Sequence, residues 1–375
     1  MTGEKKILYI LAEVSDFWSS RLPLALAVQD KGYTVYVAAP GASLDDKMTS
    51  YGFQGIDLPP APRGFSLAAV VKTLLTIRSI LKRETPNISH IFTLKYSFFA
   101  GLAALGLRNS KIIFTIAGLG YLFSGEGTKS KILLFLLTPF LKFSLRGTGK
   151  FLIFQNPDDM RVMIDNNFVS PENCVLIRGS GVDLEKFSPN NNTQEQPPLV
   201  LMPTRLVRDK GLSVFIEMAQ ILTARGVEAQ FQIAGGVTDH NPLAISKDEM
   251  ERMVAHTPVE WIGKVPDMPA LYARASLIVY PSWYGEGIPR VLLEAAAMGK
   301  PCVTTDHPGC REAVSHNDNG LLVPVKNAQA TAEVVEKLLK NPSLRETMGK
   351  RGRQKAEAEF DVHLIVRETL ALYKL

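Results

Sequence analysis

The chain has 375 residues, of which 46% are hydrophobic and 21% charged, and its formal net charge is +5 at pH 7. This composition is typical of a soluble globular protein, and the length exceeds what one hydrophobic core usually supports, so two domains are expected. The three cysteines, Cys174, Cys302 and Cys310, are odd in number and fit neither a disulfide framework nor a zinc site. We interpret them as reduced thiols of a cytosolic protein, with Cys174 and Cys302 in strand cores.

The positive charge is concentrated in the first half of the chain. Residues 1–180 contain 20 Lys and Arg against 13 Asp and Glu, whereas the remainder contains 22 against 24. A basic half predicts an anionic partner, either nucleic acid or anionic lipid. No zinc-finger spacing or aromatic-flanked basic motif favours nucleic acid, and the apolar neighbours of these charges favour a membrane surface.

Short apolar runs alternate with helical patterns along the chain, which predicts parallel α/β domains. The opening MTGEKKILYIL has no signal-peptide cleavage site and is interpreted as a first strand. The predicted strands are KILYIL, TVYVAA, ISHIF, KIIFTI, FLIFQN and CVLIRG in the first half, and PLVLMPT, FQIAGG, VEWIG, LIVYPS and CVTTD in the second. The polar segment Ser188–Pro198 predicts a linker. Two Rossmann-like halves should hold a ligand in the cleft between them, outside the carboxyl ends of the strands.

The stretch KSKILLFLLTPFLKFSLRGTGK (Lys129–Lys150) combines apolar residues with flanking cations. Its apolar run Ile132–Phe140 is far shorter than the roughly 20 residues that span a bilayer, and Pro139 and Lys142 interrupt its continuation. The pattern favours a segment that lies in a membrane interface, with a buried core helix as the alternative. Leu67–Arg83 has a similar character and would extend the same face.

The phosphate-binding motifs of two large enzyme classes are missing from the sequence. No P-loop is present, and AGLGYLFSGEG does not have the glycine spacing of a dinucleotide fold, which disfavours a kinase or an NAD enzyme. Instead, PTRLVRDKGLSVFIEMA places Arg205 after a predicted strand and Lys210 at the start of a helix. A guanidinium fork and a point charge suit a diphosphate, although strand-to-helix loops are often basic without binding one.

Two glutamates follow the predicted strand LIVY. Glu286 lies in a Gly-rich turn, and Glu294 lies about a turn and a half inside a helix that Pro289 should begin and Gly299 should end. The paired carboxylates of glycosidases stand about 5–9.5 Å apart, whereas eight helical residues rise about 12 Å. The spacing therefore favours acceptors for different hydroxyls of one extended ligand, with a phosphate at the helix N-terminus. Two solvated surface glutamates are the alternative.

Together these motifs resemble a known family. The second half resembles the nucleotide-sugar half of retaining glycosyltransferases of the GT-B fold, family four, in TRLVRDKG, in the stretch from WIGKVPDMPALYARASLIVYPSWYGEGIPRVLLEAAAMGKP to GCREAV, and in NGLLVP. SSRLPLALAVQDKGYTV and RGSGVDLEKFSP extend the resemblance over the whole chain. GLGYLF and FQNPDD resemble the branch that extends polyprenyl-diphosphate-linked oligosaccharides for O-antigens, capsules and protein glycans.

The resemblance implies a GT-B architecture of two Rossmann-like domains whose parallel sheets face an inter-domain cleft. Residues 1–187 should form a membrane-facing, acceptor-binding domain, and residues 198–358 a domain that binds the nucleotide sugar. Residues 359–375 should form a C-terminal helix that crosses back to the first domain.

The resemblance also implies site residues. Arg205 and Lys210 should neutralise the donor diphosphate and so improve the leaving group, while Glu286, as the third catalytic residue, should bind hydroxyls of the donor sugar. The implied donor-binding residues are Glu294 on the ribose, Gly263, Lys264 and Val265 beside the base, and Gly287, Ile288 and Pro289 near the β-phosphate. The implied acceptor-binding residues are Arg21, Asp16, Gly118 and Gly120.

The sequence departs from the family pattern at two places. Glu13–Arg21 replaces the Gly-rich loop that many relatives carry after the first strand, and Ala117 stands where many carry His. We therefore favour front-face attack, in which the leaving phosphate helps to deprotonate the acceptor, with Asp16 as an alternative base. His90 is interpreted as a packed residue at a strand end. Asn156 and Asp158 are interpreted as helix caps.

The activity implied is transfer of a sugar, such as GalNAc or another N-acetylhexosamine, from UDP to a polyprenyl-diphosphate-linked saccharide, with an α-linkage. UDP-sugar is a co-substrate, and neither a metal nor another cofactor is expected, since the sequence shows no ligand cluster. The expected location is the cytoplasm, peripherally bound to the inner face of the plasma membrane, with no nucleic-acid partner. The alternatives are a GT-B epimerase or phosphorylase, and a non-catalytic nucleotide-sugar-binding scaffold.

Overall fold

The computed structural model describes residues 4–61, 66–107, 111–120, 123, 128–189, 196–238 and 243–375, with the side chains of 128–131 and 133 excepted. The chain divides into two compact units. The first comprises Met1–Ser180, Gly285–Gly287 and His363–Leu375, and the second comprises Gly181–Tyr284 and Ile288–Val362. Half of the predicted linker, residues 190–195, lies outside the described residues.

The first unit is built on a parallel sheet of seven strands. They are β1 (Lys6–Ile10), β2 (Thr34–Ala39), β3 (Gln54–Asp57), β4 (Ile88–Phe92), β5 (Lys111–Ile116), β6 (Lys150–Phe154) and β7 (Cys174–Leu176). Their order is β3-β2-β1-β4-β5-β6-β7, so the direction of winding reverses between β1 and β4. Residues Ile7 to Ile10 of β1 are fully buried on both faces, which is why this strand is a continuous apolar run and not an alternating one.

Helices cover both faces of this sheet. They are α1 (Val14–Asp16), α2 (Leu22–Gln29), α3 (Asp46–Ser50), α4 (Leu67–Glu84), α5 (Leu94–Ala103), α6 (Thr128–Leu145), α7 (Pro157–Asp165) and the C-terminal helix (Val362–Tyr373). Ser66 and Asn156 begin α4 and α7 by accepting backbone N–H groups of the first turn. The C-terminal helix buries Ile365 and Tyr373 in the same cluster as β1 and β2. Among the described residues, no helix is long and apolar enough to cross a bilayer.

The second unit is built on a parallel sheet of six strands. They are β8 (Leu199–Pro203), β9 (Gln230–Ala234), β10 (Val259–Trp261), β11 (Leu277–Tyr280), β12 (Cys302–Thr305) and β13 (Gly320–Val323), in the order β10-β9-β8-β11-β12-β13. Its helices are α8 (Leu212–Ala224), α9 (Lys247–Val254), α10 (Met268–Arg274), α11 (Arg290–Ala297), α12 (Cys310–Ala313), α13 (Ala328–Leu339) and α14 (Pro342–Lys355). Two apolar clusters, one on each face of the sheet, form the core.

The predicted fold class is confirmed: both sheets are parallel and both are wound in the Rossmann manner, outward from a central strand. Each of the eleven predicted runs overlaps an observed strand. The prediction missed β3 and β13, which lie at sheet edges. It was also wrong about Cys174, which is only half-buried at the start of the edge strand β7, whereas Cys302 is buried in β12. An edge strand has a neighbour on one side alone, so its side chains are covered less.

Candidate active site

The loops that carry the predicted diphosphate ligands lie at the winding reversal of the second sheet. β8 and β11 are neighbours at the centre of that sheet, and the chain runs to β9 and β10 on one side and to β12 and β13 on the other. Residues 204–211 leave the carboxyl end of β8, and residues 281–289 leave that of β11. Ligands of open α/β sheets bind in the crevice at this position, so these two loops are the candidate binding site of the second unit.

Lys210 is held between the two loops by aromatic side chains. It is buried, its Nζ donates to the Tyr280 hydroxyl at 2.7 Å, and it lies 4.7 Å from the ring centroid of Tyr284. The following Gly211 has φ +86, and a Cβ there would clash with the carbonyl oxygen of Pro281. Only glycine therefore lets the β8 loop approach the β11 loop this closely. Arg205, by contrast, is exposed, so one buried and one exposed cation stand at this end of the sheet.

Asp209 joins the same two loops, and the sequence analysis did not identify it. Its carbonyl oxygen accepts from the backbone N of Trp283 at 2.9 Å and from the Ser282 hydroxyl at 3.2 Å. Its carboxylate accepts from the Trp283 indole N–H at 3.1 Å. The Lys326 ammonium lies over this indole, 5.2 Å from its ring centroid. The signal that could have revealed Asp209 is an acid placed between the two cations of a predicted diphosphate loop.

Glu294 is the fifth residue of α11, which begins after the N-cap Pro289. The Tyr272 hydroxyl donates to its Oε2 at 3.2 Å, and the Arg290 guanidinium donates to its Oε1 at 3.0 Å. Burial raises the pKa of Glu294, while Arg290 and Tyr272 oppose that rise. Burial also raises the pKa of Tyr272 well above its usual value, so its hydroxyl stays a donor. The carboxylate is therefore aimed by two neighbours, and each oxygen retains acceptor capacity for a ligand hydroxyl.

Gly299 ends this helical region as predicted. It has φ +65, and its N–H and that of Lys300 donate to Ala296 and Ala295. This left-handed residue closes the helix that carries Glu294.

The segment Gly285–Gly287, with the half-buried Glu286 at its centre, clusters with the first unit. The backbone N of Gly120 donates to the carbonyl of Gly285 at 3.1 Å. Gly118 has φ +101, and a Cβ there would lie 2.5 Å from the Cα of Glu286. The two glycines predicted to bind acceptor therefore support the backbone of Glu286.

The residues predicted to flank the base follow β10. Gly263 accepts from the backbone N of Gly235 at 2.7 Å, and the side chain of Lys264 lies beside Gly236. Val265 packs on the apolar cluster that also contains Ile288. Gly263 and Lys264 thus stand at the carboxyl edge of the sheet, two strands from β8.

The acceptor residues proposed for the first unit lie after β1. Asp16 is exposed and ends α1, and Arg21 ends a π-helical turn, Phe17–Arg21, that continues into α2. Arg21 is also the N-cap residue of α2, so this α-helix begins directly after it. The Arg21 guanidinium lies 4.3 Å from the ring centroid of Phe92, at the end of β4. Arg21 therefore stands near the β1–β4 winding reversal.

His90 is packed, as predicted, but it lies in the middle of β4 and not at its end. Its ring nitrogens contact the hydroxyls of Tyr373 and, at 2.6 Å, Thr115. Burial holds its pKa well below the usual value, so the ring is neutral. A neutral, fully enclosed imidazole is a structural link to the C-terminal helix.

Asn156 caps α7 as predicted, since its Oδ1 accepts from the backbone N of Asp159 at 2.7 Å. Asp158 lies in the first turn and pairs with Arg161 at 3.5 Å, so the prediction that it caps the helix was wrong. Asp159 faces back to Asn156 instead, and burial raises its pKa to about 6. In the part of the chain that the structure describes, no group of three or more His, Cys, Asp or Glu residues could hold a metal ion.

Glycosyltransferase family models match both halves of the chain. The model of the glycosyl transferases group 1 family matches residues 183–355, and that of the glycosyl transferase 4-like family matches residues 6–156. Each half of the chain thus matches a glycosyltransferase family model, which confirms the predicted resemblance to the family-four GT-B glycosyltransferases. A relative in this family is the N,N'-diacetylbacillosaminyl-diphospho-undecaprenol α-1,3-N-acetylgalactosaminyltransferase of Campylobacter jejuni, 28% identical over 94% of both chains.

A second relative, the UDP-Gal:α-D-GlcNAc-diphosphoundecaprenol α-1,3-galactosyltransferase of Escherichia coli, is 24% identical over 88% of this chain and 84% of its own. Among solved structures, a glycosyltransferase from Rickettsia africae matches with a TM-score of 0.77 at 21% identity, over 99% of this chain and 98% of its own. HepE from Anabaena in complex with UDP matches with a TM-score of 0.74 at 16% identity, over all of both chains. These structures share the fold of the family.

Proposed function

We propose that the protein transfers an N-acetylhexosamine, GalNAc in the first place, from a UDP-sugar to a saccharide linked to polyprenyl diphosphate, with retention and an α-linkage. The observation that carries this is the placement of Lys210, Asp209 and the Arg205 loop at the winding reversal of the second sheet. The acceptor and sugar classes are supported by the stated activity of the Campylobacter relative, and the nucleotide by the UDP complex of HepE.

In this proposal the two cations bind the donor diphosphate. Lys210 supplies a preorganised charge and Arg205 closes on the ligand, so both stabilise the charge that develops on the departing UDP. Glu294 accepts from the ribose hydroxyls, and the base lies against Gly263, Lys264 and Val265. The buried position of Glu294 beside Tyr272 and Arg290 supports the role of an oriented acceptor.

The donor sugar is proposed to be held by Glu286, while backbone N–H groups of Gly287 and Ile288 approach the β-phosphate and Pro289 begins the helix behind them. The bond between the sugar C1 and the β-phosphate oxygen breaks as the acceptor hydroxyl oxygen bonds to C1 from the same face. The acceptor proton passes to the departing phosphate oxygen. This needs no side-chain base, in line with Ala117 at the position where many relatives carry His.

The acceptor is proposed to reach the first unit from a bilayer. Exposed apolar side chains lie on α6 and α4, and both helices pack on α5. We call these side chains the apolar face. They are Ile132, Phe135, Leu136, Phe140 and Phe143 on α6 and Leu67, Val71 and Leu75 on α4. Phe135 is 79% exposed and Leu67 75%. Apolar groups of this size are rarely left in water without a partner surface. Lys72 and Lys142 on the same helices favour an anionic leaflet, at about 1 kcal/mol for each cation near the surface.

When the protein is docked on the membrane through the apolar face, Arg21 is proposed to bind the acceptor diphosphate, with Asp16 beside it. Arg21→Ala should raise the Michaelis constant of the acceptor and leave that of the donor unchanged. The protein would act at the cytoplasmic face of the plasma membrane as a peripheral protein, with UDP-sugar as co-substrate and without a metal.

The decisive experiment is a donor screen. UDP-sugars are offered with short polyprenyl-diphosphate saccharides and excess chelator, and the linkage of the product is read by NMR. We expect transfer from UDP-GalNAc with an α-anomeric product. A β-product, or a strict requirement for Mg²⁺ or Mn²⁺, would refute the retaining, metal-independent proposal. UDP binding without any turnover would indicate a scaffold instead.

The membrane proposal has its own test. Serine at Phe135, Leu136 and Phe143 should abolish binding to anionic vesicles and leave transfer to a detergent-soluble acceptor intact. Leu44→Ser is the matched control, because Leu44 is 85% exposed but lies outside the apolar face. Wild-type binding that is absent at low salt, or equal loss in the control, would refute docking through this face.

A further inference from the structure

The second unit also has a cavity at the end of its sheet opposite to the candidate active site. It has a volume of about 540 Å³, within the range of small-molecule sites. Ser276 and Pro301, which directly precede β11 and β12, line it together with Gly299 and Lys300. Pro189 and one face of α14 form the remaining wall. The cavity is therefore near the amino ends of strands whose carboxyl ends carry the diphosphate loops, about 13 Å away along a four-residue strand.

The cavity wall is strongly basic. Its charged residues are Lys300, Arg345, Lys350 and Arg353 against Glu346. Glu346 is already paired with Lys350 at 2.6 Å. Within the described ranges, no carboxylate lies within ion-pair distance of Lys300 or Arg345, although Arg345 is only 6% exposed. Burial lowers the pKa of Lys300 to about 8, so it remains mostly protonated at neutral pH. A cation removed from water without a counter-charge favours an anion nearby.

Donor groups remain on this wall after the internal hydrogen bonds are made. Lys300 donates one bond, to the carbonyl of Ala273 at 2.8 Å. Arg345 donates through Nη1 to Leu338 and Leu339, while its Nε has no partner among the described residues. The hydroxyl of Ser276 likewise has none there. A bound anion could accept from Lys300 and, after a small side-chain shift, from these two groups as well.

A purely structural explanation covers part of this arrangement. Lys300, Arg345 and Arg353 each bond carbonyls at the C-terminal end of a helix, those of α10, α13 and α11 respectively. Cations are favoured there because each helix end carries a partial charge of about −0.5. Arg353 is also paired with Glu357 at 2.6 Å, as Lys350 is with Glu346. The side-chain excess is therefore two positive charges, and three such helix ends compensate about three quarters of it. The wall therefore keeps a positive potential after the helix ends are counted.

We propose that this cavity binds a small phosphate-bearing anion, at a site separate from that of the donor. The partly enclosed volume and the buried Arg345 suit a small molecule and not a membrane or a nucleic acid, which would meet only the exposed Lys350 at the rim. The site also differs from the donor site in fold position, because it uses α14 and the amino ends of β11 and β12.

The test uses inorganic pyrophosphate with the full chain carrying Arg205→Ala and Lys210→Ala, so that the donor site does not contribute. We expect calorimetric binding and a rise in the midpoint of thermal unfolding that grows with ligand concentration. Lys300→Met should weaken binding about tenfold or more, as loss of a charge-assisted hydrogen bond does. Lys337→Met removes the same charge from an exposed position of α13 outside the cavity and should bind as the parent does.

Lys350→Glu provides a second variant if Lys300→Met fails to fold. Lys350 is exposed at the rim, so the exchange should leave the fold intact and still weaken pyrophosphate binding about tenfold by reversing a nearby charge. The proposal is overturned if the parent double variant binds no pyrophosphate. It is also overturned if Lys350→Glu and a folded Lys300→Met both bind as Lys337→Met does, because the cations would then serve only the helix ends.

Discussion

Replacing Gly118 with Ala tests whether the backbone position of Glu286 controls transfer. At φ +101 an alanine is strained by about 1–2 kcal/mol. Its Cβ would also stand 2.5 Å from the Cα of Glu286 and from the oxygen of Gly285, whereas carbon atoms at rest are about 3.5–4.0 Å apart. The segment must therefore retreat by about 1 Å. A displacement of this size at a reacting group can reduce the rate about 10²-fold.

Gly106→Ala is the matched control for this variant. Gly106 is in the same unit, has φ +75, and a Cβ there would meet nothing within 4 Å. Gly106→Ala should therefore lower the free energy of unfolding, measured in urea, without lowering turnover. The assay is kcat for UDP-sugar transfer, measured beside the free energy of unfolding of each variant. A folded Gly118→Ala protein with the kcat of Gly106→Ala would refute the proposed link between this contact and catalysis.

Three further predictions concern the donor site. Replacing Arg205 or Lys210 with Ala should lower turnover about 10²-fold or more, since each removes a stabiliser of developing charge; near-normal turnover of a folded double variant would disprove the diphosphate assignment. Glu294→Gln should chiefly weaken UDP binding by calorimetry, whereas Glu286→Gln should chiefly slow transfer, and the reverse pattern would exchange the two roles. Asp209→Ala should lower kcat by about tenfold through loss of one charge-assisted hydrogen bond. Asp209→Asn keeps the acceptor oxygen and should therefore retain most of the wild-type kcat. An equal loss of kcat in both variants would show that turnover depends on the carboxylate charge and not on the loop contact.

The architecture could be predicted from the sequence alone, because central parallel strands are buried on both faces and therefore appear in the sequence as continuous apolar runs. KILYIL and LIVY are such runs, and both became central strands. One of the two missed strands shows the limit of this rule. β3 (Gln54–Asp57) has exposed ends and no apolar run, and an edge strand is stabilised by its pairing with β2, a long-range interaction that local composition does not encode.

The candidate site was likewise predictable from the sequence only in part. Arg205, Lys210, Glu286 and Glu294 could be named from the sequence because they follow predicted strands and their order matches a family pattern. The environments of these residues could not be predicted from the sequence. Tyr280 lies 70 residues beyond Lys210 in sequence, yet its hydroxyl accepts from that ammonium.

Asp209 and Gly118 show most clearly what only tertiary structure decides. Asp209 becomes a link between two loops because β8 and β11 are adjacent in the sheet, although its partners Ser282 and Trp283 are 73 and 74 residues away in sequence. Gly118 must be glycine because the backbone of Glu286, far along the chain, passes against it. The sequence determined which residue types were present and which local elements they form. The folding of distant segments against one another determined which of those residues hold the catalytic candidates in place, because such contacts depend on strand order and close backbone packing and leave no periodic signal.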